Sequence, residues 1–134
     1  MKFYRIEKDG VGPYRHINSP FNDDESEYKE KHPSFRSDKF IKCNLIKTPG
    51  TIKMGDFDLE DFYFGFSSKK QLHNWFSEYY KRLIYEGFRI LKYEFKAKDF
   101  DNELLNYIVY EKQMLLSRDI KYKIEPKDVT NEFI

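Results

Sequence analysis

The chain has 134 residues, 24 Lys and Arg against 23 Asp and Glu, a net charge of +1 and a single cysteine. That length suits one domain with a core of its own. The charge argues against a nucleic-acid binder that relies on a global positive field, leaving only a local patch open, and lone Cys43 excludes an intramolecular disulfide and a cysteine-rich zinc site.

Thirteen Phe and eleven Tyr raise the aromatic share to 19%. Aromatic rings carry the largest apolar area per residue, so they can build a core, and tyrosine also suits wet binding walls. No apolar run approaches the length of a membrane span, and no signal-peptide core follows Met1. The chain reads as cytoplasmic, with no membrane partner. Its bias toward Lys, Asn, Tyr and Phe fits an AT-rich genome such as a phage's.

In chain order, KFYRIE (2–7) predicts a strand with Phe3, Arg5 and Glu7 on one side and Tyr4 and Ile6 on the other. The turn DGVGPY (9–14) must bring backbone close to something, because its glycines remove side-chain bulk. Residues 17–60 read as a long, irregular segment, with a charge run at 22–31, an ambiguous KFIKCNLI (39–46) and turn signals around TIKM. A segment this long without strong elements is often functional, for instance as a covering loop.

The stretch from Asp61 to Phe88 organises the rest. A short strand leads to Ser68, which stands as an N-cap with Gln71 three residues on, the spacing of a capping box. Leu72, Trp75, Phe76, Tyr79, Tyr80 and Leu83 then recur at helical steps. They predict one long amphipathic helix over about 68–86, closed by Gly87 at the left-handed position. FRILKYEF (88–95) alternates as a strand. Residues 97–107 offer a short helix or turn. VYEKQMLLS (109–117) and IKYKIEP (120–126) read as two strands, a hairpin or a bent pair, and the last eight residues read as a frayed tail. The predicted architecture is α+β: a single domain, mostly antiparallel sheet, with one long helix packed on it.

Metal and nucleophile chemistry find little support. His16, His32 and His73 share no ligand spacing, GFSSK lacks the glycine-flanked nucleophile elbow, and GVGPY lacks the ending of a phosphate-binding loop. What remains is a pattern in three places: Arg5 in FYRIE, the FGFSS corner before the helix, and Glu111-Lys112-Gln113 before the apolar run MLL. Together they resemble the ADP-ribosyltransferase superfamily, in the branch with Arg on the first strand, Ser-Thr-Ser on a later one and Glu-x-Glu on a late one.

The resemblance implies a fold that binds NAD or a related nucleotide. It implies that Arg5 contacts the phosphates, for which a bidentate guanidinium suits. Tyr14 would border the same cleft, Phe64 and Phe66 would wall the nicotinamide, and Ser67 and Ser68 would hold its ribose and support the acid. Glu111 matches the first Glu of the pair, and Gln113 stands where the catalytic Glu belongs. An amide can hydrogen-bond a ribose hydroxyl but supplies no negative charge for an oxocarbenium-like transition state. The chain is therefore expected to be either an active transferase drawing its acid from elsewhere or a nucleotide-binding pseudoenzyme. Each residue also has a structural role open to it: Arg5 in an ion pair, Ser67 and Ser68 in a cap, the phenylalanines in the core. The reading from another class is a small, phage-encoded interaction protein that covers a host protein's surface without catalysis, with Tyr, Trp and Arg as its anchors.

Overall fold

The computed structural model describes residues 1–14, 38–45, 52, 56–100 and 103–134. Within them lie seven strands: β1 (Lys2–Glu7), β2 (Phe40–Cys43), β3 (Phe62–Gly65), β4 (Arg89–Glu94), β5 (Tyr107–Tyr110), β6 (Met114–Ser117) and β7 (Lys127–Asp128). Three short α-helices accompany them: α1 (Lys69–Phe76), α2 (Tyr79–Tyr85) and α3 (Arg118–Tyr122). The charge run at 22–31 and most of TIKM lie outside the described residues.

The strands form two antiparallel sheets, in the orders β1-β4-β7 and β2-β5-β6-β3. They meet where Tyr4 N–H donates to the Phe66 carbonyl at 2.7 Å and Phe66 N–H returns the bond to Tyr4 at 2.8 Å. This exchange sets β1 beside the end of β3, so the central strands run β6, β3, β1. The fold class is α+β, as the alternation of strand and helix patterns predicts.

The two faces of β1 feed different cores, as its period-two pattern requires. Tyr4 and Ile6 pack with Phe66, Leu72, Trp75, Phe76, Leu83 and Ile90 under α1 and α2. Phe3 packs on the other side with Tyr93, Phe95, Met114, Leu116 and Ile120. A third cluster joins Phe40, Phe62, Ile108, Tyr110 and Leu115. Gly65 is required where these layers close: a Cβ there would lie 2.5 Å from the Phe3 ring and from the Tyr4 carbonyl. The turn after β1 also does what its glycines predict. Asp9 and Gly10 both take positive φ, Lys8 and Val11 exchange backbone bonds at 2.9 Å, and Gly12 comes so near Arg5 that a Cβ would sit 3.0 Å from Nη2.

Three expectations change. The predicted long helix is two helices, because Ser77 adopts φ 51 and ψ −128 and its N–H closes α1 onto the His73 carbonyl. The chain restarts at Tyr79, which lets Trp75 and Phe76 on one segment and Tyr80 and Leu83 on the next all reach the same core. Ser68 caps α1 through its hydroxyl at 3.1 Å from the Gln71 N–H, and Gly87 takes φ 99 after α2, both as the sequence indicates.

The second change concerns 118–126. MLLS is β6, but its hairpin partner is β5, joined through a two-residue turn at Glu111-Lys112, and β3 pairs with its other edge. Residues 118–122 coil into α3 instead of forming a strand. That turn of helix places Arg118, Lys121 and Tyr122 on one side at i, i+3 and i+4, while Ile120 enters the core. The third change is the tail. It is packed, with Val129 and Thr130 buried, Val129 N–H on the Ile90 carbonyl at 2.8 Å, and Ile90 N–H on the Thr130 hydroxyl at 2.9 Å.

Candidate functional site

Arg5 stands at the middle of β1 with both neighbours on its face defined: Phe3 in the core and Glu7 at the strand end. Its Nε donates to Glu7 Oε2 at 3.0 Å and its Nη1 to the Phe64 carbonyl at 2.6 Å. Glu7 holds three partners. Tyr93 donates its hydroxyl to Oε1 at 3.2 Å, and the Lys121 ammonium lies 3.4 Å from Oε2. Arg5, Glu7 and Lys121 are all about nine-tenths buried. One carboxylate therefore serves two buried cations.

Tyr63, on β3, supplies the rest of their environment. Arg5 Cζ lies 4.7 Å from its ring centroid, Lys121 Nζ 4.2 Å and Arg118 Cζ 4.5 Å. Burial holds the Arg5 guanidinium below its ordinary value, with Glu7 acting in the opposite sense. Burial likewise pushes the Tyr93 and Tyr63 hydroxyls up, assisted by Glu7 and by the bond to Tyr122 respectively. At the outer end Tyr63 and Tyr122 share a hydrogen bond of 2.9 Å, and Arg118 Nη1 donates to the Tyr63 hydroxyl at 3.2 Å. Tyr122, 72% exposed, is pulled down by its bond to Tyr63 and then by the nearby cations.

The FGFSS corner is built around Gln71. Its Oε1 accepts from the Ser67 N–H at 2.7 Å and the Ser67 hydroxyl at 2.9 Å. Its Nε2 donates to the Tyr110 and Glu111 carbonyls, each at 2.9 Å. One side chain thus ties the corner to the β5–β6 turn. Ser67, Ser68 and Glu111 come together through it, beside a cleft lined by Gln71, Asn74, Trp75, Glu111 and Lys112.

The other predicted residues distribute around these two places. Glu111 is exposed at the turn, its N–H on the Lys39 carbonyl at 2.8 Å. Gln113 is buried, and among the described residues its Nε2 has no hydrogen-bond partner. Met114 packs on the Phe3 side, so alternation sets Gln113 on the opposite side, with Tyr110 and Leu115. Phe64 is half-buried against the third core cluster, and Phe66 is buried between Trp75 and Phe76. Tyr14 stacks on Phe76 at 6.4 Å and accepts a 2.7 Å bond from the Trp75 indole. The carrying strands are thus neighbours, while Arg5 and Gln113 point to different faces.

Sequence reasoning assigns no site role to Glu7, Tyr63 and Arg118. The available signal was the helical spacing of Arg118, Lys121 and Tyr122, hidden because IKYKIE also alternates. The spacing from Ser68 marks Gln71 as part of a cap alone, and its second amide contact lies across the fold.

Among the described residues no helix is long and apolar enough to cross a membrane. No curated protein and no solved structure matches the chain. The family model described as Bacteriophage T4 Y00F protein matches residues 1–120 of the 134. That match covers β1 through most of α3, including Arg5, the FGFSS corner, Gln71 and Gln113, and on it the chain belongs to the Bacteriophage T4 Y00F protein family.

Proposed function

We propose that this phage-family protein works by binding a host protein and not by catalysis. The observation that carries this reading is the outer face of α2. Tyr85 is 83% exposed there, Arg82 lies over its ring at 6.0 Å, and Glu86 holds Arg82 at 3.0 Å. A lone exposed aromatic is ordinary. A tyrosine with a stacked, ion-paired arginine is already ordered before contact, and Tyr and Arg are the residues that anchor interfaces most strongly. Affinity capture from host extract tests this, comparing the wild-type chain with a folded Tyr85→Ala/Arg82→Ala variant. A specific partner lost from the variant supports the reading, and equal capture of that partner by both contradicts it.

A second reading has its own support. The strands carrying Arg5, FGFSS and Gln113 are neighbours in the order β1, β3, β6, which suits an ADP-ribosyltransferase-like domain that binds NAD or a related nucleotide. On that reading Gln113 makes the chain a pseudoenzyme, since an amide cannot supply the charge that the transition state needs. Calorimetric titration with NAD and ADP-ribose distinguishes the two: binding that disappears in a folded Arg5→Ala variant favours the nucleotide, and no binding at millimolar ligand removes it.

A further inference from the structure

The cluster around Tyr63 holds more positive charge than the fold neutralises. Arg5 and Lys121 share the single carboxylate of Glu7. Arg118 is the third cation on the same ring, and its hydrogen bonds go to the Glu60 carbonyl and the Tyr63 hydroxyl, not to a carboxylate. Among the described residues three cations therefore face one anion, an excess of two charges. Stacking on a tyrosine offsets part of the desolvation of each cation, but one ring cannot replace two missing counter-ions, and uncompensated charge is costly where water is scarce.

The geometry also supplies an opening. Arg118 donates to the Tyr63 oxygen, so the Tyr63 proton is free to go to Tyr122 across their 2.9 Å contact. That order leaves the Tyr122 proton directed outward, on a side chain that is 72% exposed. Arg118 is half-buried beside it and Lys121 lies behind, one helical turn away. A guanidinium fork and a hydroxyl donor side by side, with a buried ammonium behind them, match a compact oxyanion with several acceptor oxygens.

We propose that Arg118 and Tyr122 form a binding site for a phosphoryl group, with the buried Lys121 ammonium adding positive charge behind them and Tyr63 as the platform that orients them. Neither functional reading above assigns these residues, and the site stands whether or not NAD binds near Arg5. Its source is either a free inorganic oxyanion or the terminal phosphate of a nucleotide.

Calorimetric titrations with inorganic pyrophosphate and with ADP, each at matched ionic strength, test it. One-to-one binding is expected, weakened at least tenfold by Arg118→Gln and several-fold by Tyr122→Phe, which keeps the ring on Tyr63. Lys81→Gln, on the exposed face of α2, should leave affinity unchanged. Equal affinity for the two probes would assign the site to a free oxyanion, and tighter ADP to a nucleotide. The proposal is overturned if neither probe binds at millimolar concentration. It is equally overturned if binding persists unchanged in Arg118→Gln, with circular dichroism showing every variant folded.

Discussion

Arg5 and Glu7, two residues apart on one face of β1, form an ion pair of 3.0 Å with both side chains about nine-tenths buried. Removing one partner of a buried pair leaves the other desolvated and uncompensated, which costs far more than a surface pair is worth. Glu7 also neutralises Lys121. The isosteric Glu7→Gln change therefore strands two cations and should destabilise the protein by on the order of 3 kcal/mol or more. Urea unfolding of the variant against the wild type measures it, and an unchanged midpoint would contradict the assignment.

Ser77 offers a test in which the sign decides. Its φ of 51 lies in the region that favours glycine, so Ser77→Gly should relieve strain and raise stability by about 1 kcal/mol. Were residues 68–86 one continuous helix, the same change would lower stability by roughly 0.5 kcal/mol. Thermal unfolding separates the two architectures.

The Gln71 side chain makes four hydrogen bonds that bridge two parts of the chain. In Gln71→Ala the Ser67 N–H loses its acceptor, and the Tyr110 and Glu111 carbonyls lose their donor. Leaving such groups unsatisfied costs roughly 1–3 kcal/mol. Native-state hydrogen exchange should show the Ser67 amide losing its protection, while the Leu83 and Ile90 amides keep theirs until the protein unfolds globally.

Asp128 predicts a pH dependence. Its bond to Arg89 at 2.8 Å, with further bonds from Thr130, lowers its carboxyl to about 2, from an ordinary value of about 4. A depressed folded value means that the stabilisation is present above pH ~4 and is lost as pH falls toward ~2. The pair is half-exposed, so solvent screening limits the effect to about 1 kcal/mol. The stability difference between wild type and Asp128→Asn should therefore be visible at pH 6 and vanish near pH 2.

Much of the local structure was legible in the sequence. KFYRIE and FRILKYEF alternate and become β1 and β4, paired from Lys2–Glu94 to Glu7–Arg89. Ser68 and Gly87 act as the caps their chemistry favours. The failures share one cause: tertiary contacts overrode a local pattern. The apolar steps run unbroken across Ser77, so nothing in them marks the break. IKYKIEP alternates like a strand, yet its first residues coil because Ile120 enters the core and Lys121 reaches Glu7 on β1. The polar tail carries no strong period, and it is held by β4 and by the ring of Phe133 against Tyr4 and Tyr80. The same limit applies to the site. Arg5 and FGFSS could be singled out from their residue types, but the Tyr63 cluster joins β1, β3, β4 and α3, and no short motif spans them.

The central claim, that the protein binds without transferring ADP-ribose, is tested most directly by nicotinamide release from NAD in the presence of host extract. Wild-type protein carrying Gln113 should release nicotinamide no faster than the same extract without it. Release above that background, dependent on the added protein and lost in a folded Arg5→Ala variant, would contradict the account and make the chain a transferase.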